Sequence, residues 1–105
     1  MREHLPYRRH HELRDFEFGG IKYTAGVGHL SSGTVGEIFL NVVGKVGTDL
    51  EAHARDTAIT VSLGLQYGVP LDTLRKALTR ASNGEPGSAL SYLLDQLAAA
   101  EEGPP

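Results

Sequence analysis

The stretch GEIFLNVVGKVGTDLEAHARDTAITVSLGLQYGVP, residues 36–70, decides how the rest of this 105-residue chain is read. From Gly36 to Val43, Ile38, Leu40 and Val42 fall at every second position opposite Glu37, Phe39 and Asn41, the period of a strand with one better buried face. Gly44 and Gly47 break that pattern. Thr48 is followed three residues later by Glu51, so the hydroxyl and the carboxylate can each satisfy a free backbone N–H at a helix start. Leu50, Ala54, Ala58, Val61 and Leu65 then make one apolar stripe, and Ala52, Ile59 and Leu63 a second on another side, which predicts a central helix with two buried sides. Gly68 can end that helix in a left-handed conformation and Pro70 can begin the next, so the stop falls near Tyr67.

Working outward, residues 1–12 are polar and basic and read as a flexible arm, residues 13–100 as a single domain, and residues 101–105 as a disordered acidic tail. Asp15 to Phe18 alternates acid and phenylalanine, and Ile21, Tyr23, Ala25 and Val27 continue the alternation. This fits two strands, or one bent at Gly19 and Gly20. Ser31, Ser32 and Gly33 make the turn into the strand at Gly36, and a meander is the simplest topology. After the long helix, Leu71, Leu74, Ala77 and Leu78 define a short helix. Asn83 to Gly87 breaks the chain, and Ser88 caps a third helix with a Leu90, Leu93, Leu94, Leu97 stripe. The fold class is α+β: a small antiparallel sheet of about three strands in the first half, packed against about three helices in the second. Phe39 and Val43 leave the second face of that sheet apolar as well, which predicts a homodimer or a docked partner over it.

Composition excludes several function classes. Net charge −3 and pI near 5.9 argue against a general nucleic-acid binder. The absence of cysteine removes disulfides, thiolate metal sites and any cysteine nucleophile or radical. Apolar runs fall short of the roughly 20 residues that span a bilayer, and the start lacks a signal-peptide core, so the expected compartment is the cytoplasm, without membrane attachment.

Candidate chemistry is sparse. Gly44 to Thr48 resembles a phosphate loop only in outline, because Val46 rather than Ser or Thr follows Lys45, and Asp49 and Glu51 already put negative charge at that helix start. His10 and His11 are adjacent and point apart in an extended chain, and His53 near Glu51 and Asp56 lacks a third ligand in view, so no metal site is expected. His29 with Ser31 and Ser32 offers a base and a nucleophile without an oriented third group.

LPYRR near the start, EFGGIKYTAGVG, and GTVGEIFLNVVGKVGTDLEAHARDTAITVSLGLQYGVPLDTL together resemble the TSCPD domain, the C-terminal accessory region of adenosylcobalamin-dependent ribonucleotide reductases, also seen as short free-standing proteins. The most specific pieces are GEIF (36–39), GKVGT (44–48) and SLGLQYGVPL (62–71). The resemblance implies an association with deoxyribonucleotide synthesis and DNA replication. Family members carry cysteines thought to bind metal, and the reductase chemistry needs redox cysteines and a cobalamin site on a separate large domain. This chain has no cysteine, so neither role passes to any of its residues, and no bound cofactor is expected. Three readings follow: an accessory or regulatory module for a ribonucleotide reductase large chain or another nucleotide-metabolism protein, not catalytic alone; a subunit contributing to ribonucleoside-diphosphate reductase activity in a complex; and a nucleotide or anion binder using Arg8, Arg9 and Lys45. The positions singled out for partner or anion binding are Arg8, Arg9, Glu37, Lys45, Gln66 and Tyr67, by membership of the family-like motifs and by polar or aromatic character on apolar elements.

Overall fold

The computed structural model describes Arg2, Glu3, Leu5, residues 11–45 and residues 47–102, the side chains of Glu101 and Glu102 excepted. Strands β1 (His11–Phe18), β2 (Ile21–His29) and β3 (Val35–Val42) precede helices α1 (Asp49–Gln66), α2 (Leu71–Ala77) and α3 (Ala89–Glu102). The strands form an antiparallel meander in the order β1-β2-β3, an α+β fold with its sheet in the first half and its helices in the second. The β1–β2 hairpin turns on Gly19 and Gly20 at φ 59° and 79°, the pair of positive values that a two-residue turn matched to strand twist requires. β1 starts at His11, inside the segment read as a flexible arm: His11 to Arg14 continues the alternation that the basic composition of the arm obscured.

One face of the sheet carries the core. In register, Phe16 lies beside Tyr23 and Val42, Ala25 beside Leu40, and Val27 beside Ile38. Against them pack Leu90, Leu93, Leu94 and Leu97 of α3 and Ala58, Val61 and Leu65 of α1. Tyr92 stacks on Phe16 at 5.5 Å between ring centroids and leans on Phe18 at 6.0 Å, tying α3 to β1. The cap of α3 is Ser88, whose hydroxyl accepts from the Ser91 N–H at 3.1 Å. Between α2 and α3, Arg80 and Arg75 both bond the Asp95 carboxylate, and Arg75 also bonds Asp72. Among the described residues no helix is long and apolar enough to cross a membrane.

α1 does not sit between two layers. It runs along the outer edge of β3 and finishes that edge chemically. Ser62 accepts from the Ile38 N–H at 2.8 Å, and its single proton is shared between the carbonyls of Ala58 at 2.7 Å and Ile38 at 3.1 Å. Gln66 Nε2 donates to the Gly36 carbonyl at 2.9 Å. Edge-strand groups that would otherwise be bare in a buried seam are thus satisfied by two side chains one helical turn apart. The expectation of two buried sides on α1 is corrected: Ala58, Val61 and Leu65 are buried, whereas Ile59 and Leu63 are 48% and 41% exposed. The buried flank of α1 faces β3 and α3, and Leu74 of α2 and Val69 approach it at Gly64.

Candidate functional site

Because side chains alternate along each strand, the face opposite the core is fixed by the same register. Across it run three rows: His11, Gly28 and Glu37; Leu13, Gly26 and Phe39; Asp15, Thr24 and Asn41. The two glycines of the central strand make a furrow that their neighbours reach over. A Cβ on Gly28 would stand 3.1 Å from both the Glu37 carboxylate and the His11 ring, and one on Gly26 would stand 3.4 Å from the Phe39 ring. The furrow lets His11 of β1 meet Glu37 of β3 across β2, with 3.2 Å between Nε2 and Oε1. Thr24 donates to Asp15 at 2.9 Å in the third row.

The middle row is apolar and open. Leu13 is 77% exposed and Phe39 46%, although Phe39 rests on Gly26 and faces the His11 ring at 5.8 Å. The exposed stripe of α1 extends the row beyond β3: Ile59 and Leu63 line the same shallow hollow as Phe39. Leu13, Phe39, Ile59 and Leu63 therefore form a discontinuous apolar band from the outer strand to the outer helix, with His11 and Glu37 along one side.

The residues named from sequence scatter. Arg8 and Arg9 lie outside the described residues. Glu37 belongs to the open face beside the apolar band. Lys45 is exposed in the turn before α1, while Gln66 and Tyr67 are at the helix's other end, about 27 Å away for its 18 residues. Gln66 is buried, 4% exposed. Besides capping Gly36, its side-chain oxygen accepts from Arg2 Nε and its backbone carbonyl accepts from the Glu3 N–H, both at 2.6 Å. Tyr67 is exposed and lines a cleft of about 420 Å³ with Glu3, Leu30, Thr34 and Leu71. Leu13 was not singled out from sequence, and Ile59 and Leu63 were read only as a helix stripe; register places Leu13 in the row of Phe39, and the hollow beside β3 adds Ile59 and Leu63.

The start of α1 is closed by its own side chains. Thr48 Oγ1 accepts from the Glu51 N–H at 3.2 Å, and the Glu51 carboxylate accepts from the Gly47 N–H at 3.1 Å and pairs with Arg55. The Gly47 N–H there already holds a carboxylate, and Asp49 and Glu51 add negative charge at that end. Electrostatic perturbation concentrates elsewhere. Hydrogen bonding from Arg80, reinforced by Arg75, holds the Asp95 carboxyl below the ordinary carboxylate range, and Asp72 is lowered by Lys76 and Arg75. The Arg75–Asp95 pair joins α2 to α3, Arg80 holds Asp95 from the loop between them, and the Asp72 pairs lie within α2. The second cleft, about 370 Å³, is largely apolar, walled by Tyr23, Leu40, Leu50, Ala54 and Leu90, with His53 and Ser88 at its polar margin. Among the described residues no group of three or more His, Asp or Glu could hold a metal ion.

A stretch of 78 residues, 74% of the chain, is 41% identical to a vitamin B12-dependent ribonucleotide reductase of Agrobacterium fabrum (strain C58) and, over the same length, 42% identical to one of Bradyrhizobium diazoefficiens. The match takes in 6% of each of those proteins, so this chain corresponds to a small portion of them. No solved structure matches. The TSCPD domain family matches residues 4–100, from before the first strand to the last turns of α3, and the chain belongs to that family.

Proposed function

We propose that this chain is a non-catalytic accessory domain in deoxyribonucleotide synthesis that docks on, and modulates, the large chain of a vitamin B12-dependent ribonucleotide reductase. The observation that carries the reading is the apolar band of Leu13, Phe39, Ile59 and Leu63 on a face with no described element over it. A partner that covers it removes the remaining exposure of four large side chains, worth about 1–2 kcal/mol each because Phe39, Ile59 and Leu63 are already about half-buried, before association costs are deducted. The reductase is the partner favoured because related sequence is part of proteins of that name. The His11–Glu37 pair beside the band supplies polar groups for orientation, as the rim of an interface does.

The experiment is a binding titration of the purified chain against the purified cognate reductase, followed by turnover with and without it. The expected result is saturable binding that Phe39→Glu abolishes without lowering thermal stability, and a change in reductase turnover that follows the binding curve. Absence of binding at concentrations up to about 100 μM, roughly −5.5 kcal/mol, overturns the reading. So does binding indifferent to Phe39→Glu.

A further inference from the structure

The hydrogen bonds at β3 also fix the state of the other edge. Ile38 and Gly36 direct their backbone groups to α1, so Glu37, Phe39 and Asn41 direct theirs to β2. Following the alternation across β2, Tyr23, Ala25 and Val27 face β1 and engage Phe16, Arg14 and Glu12. The N–H and C=O groups of His11, Leu13, Asp15 and Glu17 therefore point away from the sheet, along an edge with no described strand or helix beside it. The chain closes one edge with a helix and leaves this one ready to pair.

We propose that this edge is a homodimer interface, in which β1 pairs antiparallel with β1 of a second copy about a twofold axis through Leu13. The sequence of the strand selects the occupant and the register. With the axis at Leu13, Leu13 opposes Leu13 of the copy and His11 opposes Asp15, in hydrogen-bonded pairs. Glu12 opposes Arg14 in the closer, non-hydrogen-bonded pairs, where side-chain charges interact most. Glu12 thus meets Arg14, and the Asp15 carboxylate meets the imidazole of His11. Centring the axis on Glu12, Arg14 or Asp15 instead sets a like charge against itself. Charged residues on an edge strand usually discourage pairing, but here their order about Leu13 makes the strand complementary to its own reverse. Glu12 and Arg14 already pair along the strand, with 2.9 Å between Arg14 Nη2 and Glu12 Oε1, so dimerisation exchanges a local pair for two reciprocal ones.

The same register joins features of the open face. The apolar row continues as Phe39, Gly26, Leu13 and then Leu13, Gly26, Phe39 of the copy, one band across six strands. The His11–Glu37 pair comes into line with Asp15 of the copy, itself held by Thr24. Both copies keep their α3 helices on the same side of the joined sheet, so the core of each is untouched.

The test uses the purified chain alone and is independent of any reductase. Sedimentation equilibrium should give the mass of two chains at micromolar concentration. Arg14→Glu, which places a carboxylate opposite Glu12 of the copy, should weaken the dimer by about tenfold or more. Glu12→Arg with Arg14→Glu, which restores opposite charges across the axis, should recover it. Because the chain lacks cysteine, Leu13→Cys introduces the sole thiol, and a short bis-maleimide should join two copies there efficiently. At Asp15→Cys it should fail, since those thiols would stand about 13 Å apart. A single-chain mass up to several hundred micromolar overturns the proposal. So does a dimer insensitive to Arg14→Glu or not recovered by the double exchange, and so does cross-linking no better at position 13 than at 15. If Arg14→Glu disturbs folding by circular dichroism, the position 13 against position 15 cross-linking decides alone.

Discussion

The two edges of the sheet meet one physical problem in opposite ways. At β3, Ser62 and Gln66 of α1 supply the partners that a further strand would have supplied, and the seam is buried. At β1 the outward groups of His11 to Glu17 have no described element against them, and Leu13 stands 77% exposed. The closed edge is internal architecture, so changes there are read in stability. The open edge and the face beside it cost little folding free energy, so changes there are read in association.

The comparison can be broken first at the closed edge. Ile38→Ala, removing a side chain 1% exposed in the middle of the core, is expected to destabilise the chain by about 3 kcal/mol in urea unfolding. Ser62→Ala follows at about 2 kcal/mol, because the Ile38 N–H and C=O lose their partner in a seam that water does not reach. A loss below about 0.5 kcal/mol would mean that water or a backbone shift replaces the hydroxyl, and that the edge is less closed than its geometry.

Away from both edges, Asp95 gives a smaller, pH-dependent effect. Its carboxyl is lowered in the folded chain, so its contribution is present above the ordinary carboxylate pKa of about 3.9 and is lost as pH falls through the lower folded value. Asp95→Asn should flatten the acid limb of a melting-temperature profile, with the variant and parent converging at the acid end. Parallel profiles would remove Asp95 from the account. The smallest effect belongs to the open face: Phe39→Ser should change unfolding free energy by no more than about 0.5 kcal/mol. A loss above about 1.5 kcal/mol would show that the Phe39 contact with Gly26 is part of the core's support, and would erase the distinction between the faces.

Much of the closed side was legible in the sequence because it obeys short-range rules. The alternation of Ile38, Leu40 and Val42, the Thr48–Glu51 cap and the Leu90 to Leu97 stripe all appear where periodicity puts them. The second stripe of α1 misled, since periodicity reports that Ile59 and Leu63 share a side and says nothing of whether anything covers it. The polarity of Gln66 on an apolar element marks it in the sequence without saying what it bonds. Its spacing, four residues after Ser62 and eight after Ala58, carries that information: a polar pair set into the buried flank and aimed at a strand backbone. The open face was legible only in part: Phe39 marked it as apolar, but strand register is needed to bring Leu13 into line with Phe39, and the packing of α1 beside β3 to add Ile59.

Gln66 also has a kinetic consequence. One residue joins the N-terminal stretch through Arg2 and Glu3, the start of β3 through Gly36, and the last turn of α1. These three segments, distant along the chain, therefore release together, and the amide proton of Glu3 should exchange with solvent at the rate of that last turn rather than at the free rate of a chain terminus. Rapid exchange at Glu3 alongside slow exchange at Tyr67 would separate them. Slow exchange at both would make the end of α1 a single cooperative latch whose opening frees the beginning of the chain.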